Sequence, residues 1–235
     1  MSDFPVAAAH GPIRELFPDV YVVRGAMPMG PMMAIPRNMI VLRQGSELTL
    51  VNAMRLGPAG EAELERLGTV RHFVKLGPYH TRDEAWLRHR YAPTMWSAAP
   101  SDAAVERLVD GGPAPVDRAA VHTFGGVGSD ESALVLGQHA GGLLVTCDSA
   151  QHWDSTEGAT WLGGVVAWGM GFLQRPVTIG PIWAKHVTKG KLSALRPDFD
   201  RLLSRDFVHL VSGHGGLLRD VAKRELAASV DATLR

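Results

Sequence analysis

The chain has 235 residues, of which 20% are charged and 46% hydrophobic. Lys plus Arg and Asp plus Glu each total 24, so the formal net charge is zero at pH 7 and no broad positive field exists to recruit nucleic acid or acidic lipid. A chain this long buries roughly 70% of its unfolded surface, so its core needs no disulfide, and the single Cys147 could not form one internally; a reducing, cytoplasmic setting is expected.

The first residues show no basic segment leading into a continuous apolar run, so no leader peptide is read there. Short β-branched or aliphatic runs at 20–24 (VYVVR), 38–42 (NMIVL) and 48–51 (LTLV) predict strands. Gln44-Gly45-Ser46 is a hairpin signal between the last two. Residues 26–36 (AMPMGPMMAIP) carry four Met and three Pro. They read either as an irregular loop packing its Met side chains on the core or as an apolar flap over a pocket.

Residues 60–67 (GEAELERL) predict a short helix closed by Gly68. A strand follows over 70–76, then a helix over 81–91, with Thr81 as N-cap and Glu84 at capping-box spacing. The Pro/Gly/Ala/Asp-rich stretch 100–118 marks the boundary between two halves, about 1–110 and 111–235, of one domain spanning 1–235. Further strands are expected at 120–124, 132–136 and 142–147, with a turn over 138–141. The most apolar stretch, 159–173, holds four glycines in 15 residues. It is too short to span a bilayer and reads as a buried helix or packed loop, so no membrane partner is expected. Helical pieces including 199–203, a strand at 207–211 and an amphipathic helix over 218–234 complete the chain. Clustered strands with interspersed helices predict two sheets covered by helices rather than one doubly wound sheet.

Three strands end in residues of the types that bind divalent metals. Gly77-Pro78-Tyr79-His80-Thr81-Arg82-Asp83-Glu84 follows one, Asp148 follows the run LLVTC, and His214 lies in LVSGHGG. Imidazoles and carboxylates aimed by sheet ends form a reasonable ligand set. Each also has a structural reading, with Asp148 as an N-cap, His80 as a surface residue and His214 as a turn residue.

In this order the three pieces resemble the metallo-β-lactamase fold superfamily over about residues 18–230. VRHFVKLG leads into the segment where that superfamily has His-x-His-x-Asp-His, TCDSAQ is similar to its strand-ending Asp, and VHLVSGHGG is similar to the strand delivering its last metal His. The resemblance implies an α/β fold, a four-layer αββα sandwich, with one or two zinc or iron ions and hydrolysis of esters, amides or thioesters. The motif is degenerate. With Asp83 aligned on the loop Asp, Glu84 replaces the final His, Tyr79 and Thr81 replace the first two, and 125–131 (GGVGSDE) lacks the middle His.

The expected ligands are therefore His80, Asp83, Asp148 and His214, with Asp83 and Asp148 as the catalytic carboxylates. The cofactor is one divalent metal ion, zinc before iron or manganese, or none. The expected partner is a small ester, lactone, thioester or amide; monomer and homodimer stay open. The alternatives are a metal-free scaffold that binds a small molecule or a protein, and a purely structural role for these polar residues. His152 reaches the same pocket only if the chain turns helical after Asp148. His72, His122 and His209 lie in strand runs, and His89 and His186 are expected to face solvent. Cys147, in an apolar run, reads as a buried small hydrophobe. GGVG does not open a helix with Lys-Ser/Thr, and no Gly-x-Ser-x-Gly elbow occurs.

Overall fold

The computed structural model describes residues 4–98, 105–137, 139 and 141–235. Residues 100–104 of the boundary stretch, and 138 and 140 of the expected turn, lie outside the described residues.

The first sheet takes its seven strands in sequence order: β1 (His10–Phe17), β2 (Val20–Pro28), β3 (Ala34–Gln44), β4 (Glu47–Val51), β5 (Thr69–Lys75), β6 (Thr94–Ser97) and β7 (Val105–Arg107). β1 to β4 are antiparallel neighbours, whereas β4–β5, β5–β6 and β6–β7 are parallel. Parallel neighbours need crossovers, and the first two are made by α1 (Pro58–Leu67) and α2 (Glu84–Tyr91).

The rest of the described chain comprises β8 (Ala119–Thr123), β9 (Ser132–Leu136), β10 (Leu143–Val145), β11 (Ala150–Gln151), α3 (Trp161–Gly169), β12 (Thr178–Ile179), α4 (Pro181–Thr188), α5 (Arg196–Leu203), β13 (His209–Val211), β14 (Leu217–Leu218) and α6 (Ala222–Thr233). The second sheet runs β14-β13-β10-β9-β8, and β11 with β12 forms a small separate ribbon.

Alternation along the strands builds the layers, because successive side chains point to opposite faces. Ile40 and Leu42 of β3 meet Leu134, Leu136, Leu143 and Val145 of the second sheet in the central core. Met39 and Val41, one residue out of step, pack with Leu64 of α1 and with Trp86 and Leu87 of α2. Ala133, Val135 and Leu144 likewise face away from the centre and pack on Trp183, Phe199, Leu202, Leu226 and Val230 of α4, α5 and α6. Each fully buried Leu or Val contributes on the order of 2 kcal/mol of apolar burial. The result is the expected α/β architecture, an αββα sandwich of two helix-covered sheets.

Local differences have local causes. β1 was not expected; most of its residues are half-exposed or exposed, so it carries no alternating pattern. β6 and β7, four and three residues long, are too short for one. α2 begins at Glu84 rather than at Thr81, whose carbonyl instead accepts the Glu84 amide in a turn at 3.1 Å. The last helix begins at Ala222, because Leu217–Leu218 pair with β13 as a strand. The apolar stretch 159–173 does form a helix, α3, capped by the Thr160 hydroxyl accepting the Gly163 amide. It is not buried as expected, since Trp161 is 82% and Trp168 63% exposed. Among the described residues no helix is long and apolar enough to cross a membrane. The Met-rich segment largely continues the β2–β3 hairpin, closed by Met29 N–H donating to the Met33 carbonyl at 2.7 Å.

Candidate metal centre

Two neighbouring strands place two of the expected residues side by side. β10 and β13 are parallel and in register, Val145 opposite Val211, so the chain leaves both at the same end of the sheet. Asp148 lies three residues beyond one exit and His214 three beyond the other. The exit of β5 is pinned to this end by the Ser132 amide, which donates to the Leu76 carbonyl at 2.7 Å. Asn52 reinforces the junction: its amide donates to the Thr146 carbonyl and its carbonyl accepts the Leu76 amide. Asn38 of β3 holds the His214 loop by donating to the Ser212 and Gly215 carbonyls at 2.9 and 2.8 Å. Gly215 has a left-handed φ of 76°, and a Cβ there would lie 2.0 Å from the His152 carbonyl oxygen.

His80, Asp148 and His214 meet at this convergence, each buried, with one ligating atom apiece all within 4.8 Å of one another. His214 Nε2 lies 3.1 Å from Asp148 Oδ1, and His80 Nε2 lies 3.8 Å from Asp148 Oδ2. The two imidazole rings sit edge to face, 5.0 Å between centroids. His214 Nδ1–H donates to the Pro36 carbonyl at 2.6 Å, which fixes the tautomer and turns Nε2 to the carboxylate. A carbonyl can only accept, so Nδ1 bears the proton. Nε2 and Oδ1 are then both lone-pair sites, and a shared cation, a second proton or a metal ion, is what lets them stand this close. His80 has neither ring nitrogen hydrogen-bonded although both are buried, a costly state for an imidazole without a ligand to accept its lone pair. Two imidazoles and a carboxylate suit zinc, iron or manganese.

The electrostatics favour ligation. Burial drives the His80 imidazole down to about 3, against an upward pull from Asp148, so the ring is neutral. Burial alone would raise the Asp148 carboxyl, but the His214 hydrogen bond and the two imidazoles outweigh it and hold the group at about 2. Cys147 is buried as expected, its thiol pushed up by burial and donating to Asp148 Oδ2 at 3.6 Å.

The fourth expected ligand stands apart from this group. Both Asp83 oxygens face guanidinium groups, Oδ2 to Arg37 at 3.1 Å and Oδ1 to Arg82 at 2.6 Å, and the Arg37–Asp83 pair is almost fully buried. The Asp83 position following a strand suited a ligand equally well, and only the fold shows that β3 delivers an arginine to it. Glu84 pairs with Lys75 and Arg88. His152 lies on no helix; its Nδ1 meets the Pro176 carbonyl at 2.6 Å. His89 and His186 are exposed as expected.

Sequence reasoning missed Glu131. Its Oε1 accepts the backbone amides of Asp148, at 2.9 Å, and Ser149, while Oε2 is buried and unpartnered. Burial, with the Asp148 charge adding to it, raises this carboxyl well above its ordinary range, against the pull of the two amides it accepts beneath the Asp148 loop. An acidic residue in a Gly-rich connection gives no sequence signal for that role. Gln151 completes the support, its amide donating to the Asp148 carbonyl and Oδ1 at 3.2 and 3.3 Å.

No protein-family model matches the sequence, and no curated protein matches it. Solved structures do. The DIM-1 metallo-β-lactamase exposed to ceftazidime superposes with a TM-score of 0.63 at 12% identity, covering 97% of this chain and 99% of its own. A metallo-β-lactamase from Erythrobacter litoralis gives 0.64 at 12% identity, covering 98% and 96%. FIM-1 from Pseudomonas aeruginosa, in a mono-zinc form, gives 0.64 at 12% identity, covering 97% of each. Identity this low speaks to the fold alone, and over nearly its whole length the chain has the fold of the metallo-β-lactamases.

Proposed function

We propose that this protein is a metal-dependent hydrolase of a small ester, lactone, thioester or amide, with His80, Asp148 and His214 holding a single divalent ion, zinc first among the candidates. The observation that carries the reading is the buried His214–Asp148–His80 group, with the unpartnered nitrogens of His80. A divalent ion bound there supplies Lewis acidity, polarising a carbonyl and making water acidic enough to attack at neutral pH.

The chain's own residues prepare that chemistry. Asp148 stays ionised through the working pH range, and His80 stays neutral with its lone pair free. The Pro36 carbonyl orients His214, the kind of outer contact that sets the tautomer of a ligating histidine. Glu131 and Gln151 fix the Asp148 loop from its backbone side. Asp83, an expected ligand and catalytic carboxylate, enters this reading as the counter-ion of Arg37.

The test is the metal content of untagged protein, purified without chelator and measured by inductively coupled plasma mass spectrometry. About one equivalent per chain, lost in His214→Ala, is expected. No metal after incubation with excess zinc, iron or manganese overturns the proposal and leaves a metal-free binding scaffold.

A further inference from the structure

A cavity of about 120 Å³ opens directly from the candidate centre. Asp148 and His214 stand at one end, and its walls come from the β2–β3 hairpin (Met29, Met33), from α3 and the turn after it (Val166, Met170, Phe172), and from α4 (Ile182). Trp153 links wall and centre, stacking on Phe172 at 4.8 Å and on His214 at 6.1 Å between ring centroids.

The indole and amide side chains along these walls are already used. Trp153 Nε1–H donates to Gln151 Oε1 at 2.8 Å, and Gln151 Nε2 donates to Asp148. Trp183 turns its Nε1–H to the Ser129 hydroxyl at 3.3 Å. Among the described residues Asp148 and His214 are the only ionisable side chains in the lining, and no lysine or arginine lines the space. An occupant therefore meets mainly the carbon and sulfur of these side chains away from the catalytic end, with the backbone at the start of α4 beside them. Three methionines give the walls some freedom to adapt to its shape.

We infer that this cavity is the recognition site for an uncharged apolar group of the substrate, a short acyl chain or a single ring, whose polar end lies at Asp148 and His214. The chemistry assigned to that end rests on the hydrolase reading; the apolar recognition does not. An apolar cavity of ~150 Å³ accepts benzene, so this one, at about 120 Å³, holds about five carbon atoms beyond the polar end. With no lysine or arginine among its described lining residues, it selects against an acidic group at the buried end of the ligand.

The test uses primary alcohols as probes, because they carry the apolar group and cannot be hydrolysed. Protein labelled with ¹³C at the methionine methyls is titrated with butanol, pentanol, hexanol and hexanoate, as purified and again after chelator treatment. The Met29, Met33 and Met170 signals are expected to move saturably, while Met39 and Met95, in the opposite layer, stay put. Affinity should rise about three- to fourfold per added methylene up to hexanol, with hexanoate at least tenfold weaker in the chelated sample. Val166→Trp, which fills the space from a half-exposed position, should weaken hexanol at least tenfold and leave metal content unchanged. Unmoved pocket methyls, a flat alcohol series, or equal binding by Val166→Trp would overturn the inference. Metal without alcohol binding would sink this inference alone, and alcohol binding without metal would sink the hydrolase alone.

Discussion

The role of Asp83 separates two accounts of this site, and Asp83→Asn decides between them. Asn keeps the shape and one acceptor oxygen but removes the charge. Arg37 and Asp83 are 2% and 3% exposed at the side chain and 3.1 Å apart. Burial already pulls the Arg37 guanidinium down, and the Asp83 carboxylate is the largest opposing influence. Breaking such a pair leaves an uncompensated buried cation, which costs about 3–5 kcal/mol. Arg82 offers no relief, since it also carries positive charge towards the same carboxylate. For a domain of this size each kcal/mol shifts the melting temperature by about 2–4 °C, so a fall on the order of 10 °C is expected. The double variant Arg37→Met/Asp83→Asn removes both charges and should recover much of the loss, because paired apolar replacement of a buried ion pair is often near neutral. Scanning calorimetry with metal analysis on the same samples reads both quantities. A melting temperature within 2 °C of the parent, together with lost metal, would refute the counter-ion account and return Asp83 to the ligands.

Other consequences follow from the same geometry. Burial holds His80 near 3 and His122 near 4, both below the ordinary imidazole value of 6.5; the unfolded chain therefore takes up protons first as pH falls. Unfolding free energy from urea titrations should drop below pH 6.5 with a slope approaching about 1.4 kcal/mol per pH unit for each histidine, and a flat profile between pH 6 and 4.5 would contradict their burial as neutral rings. Glu131 has the opposite sign, its folded carboxyl lying above the ordinary value of 4.5, so the parent loses stability as pH rises from there. The melting temperature of Glu131→Gln minus that of the parent should accordingly widen between pH 4.5 and 8, and a constant difference would show that Glu131 is ionised in the fold. A Cβ at Gly180 would sit 2.1 Å from the Asp148 carbonyl oxygen. Gly180→Ala should therefore shift the Asp148 loop and weaken metal binding about tenfold in a competition titration, whereas unchanged affinity would mean that the loop yields freely.

Much of the framework was legible because it rests on local chemistry. The runs at 20–24, 38–42 and 48–51 became β2, β3 and β4, and the run 60–67 closed by Gly68 became most of α1. Elements whose pattern is not their own were hidden. β1 lacks alternation because its pairing with β2, rather than burial of one face, holds it. α3 is apolar on its exposed side as well as its packed side, so its composition pointed to burial that Trp161 and Trp168 do not have. Thr81 had the residue type and spacing of an N-cap, yet the turn before α2 is set by Asp83 reaching the arginine of a distant strand.

By itself the sequence determined the longer patterned strands and helices, such as β2 to β5, β8 to β10 and α1, and it placed His80, Asp148 and His214 after strands, since strand propensity and turn chemistry act over a few residues. Tertiary structure alone decided which of those side chains meet. The parallel register of β10 and β13 brings Asp148 to His214 across 66 residues of chain, β3 sends Arg37 to claim Asp83 across 46, and β9 is preceded by Glu131, which lies under the Asp148 loop. These are choices between long-range partners of similar chemistry, and only the packing of the two sheets decides which carboxylate joins the two histidines and which pairs with a buried arginine.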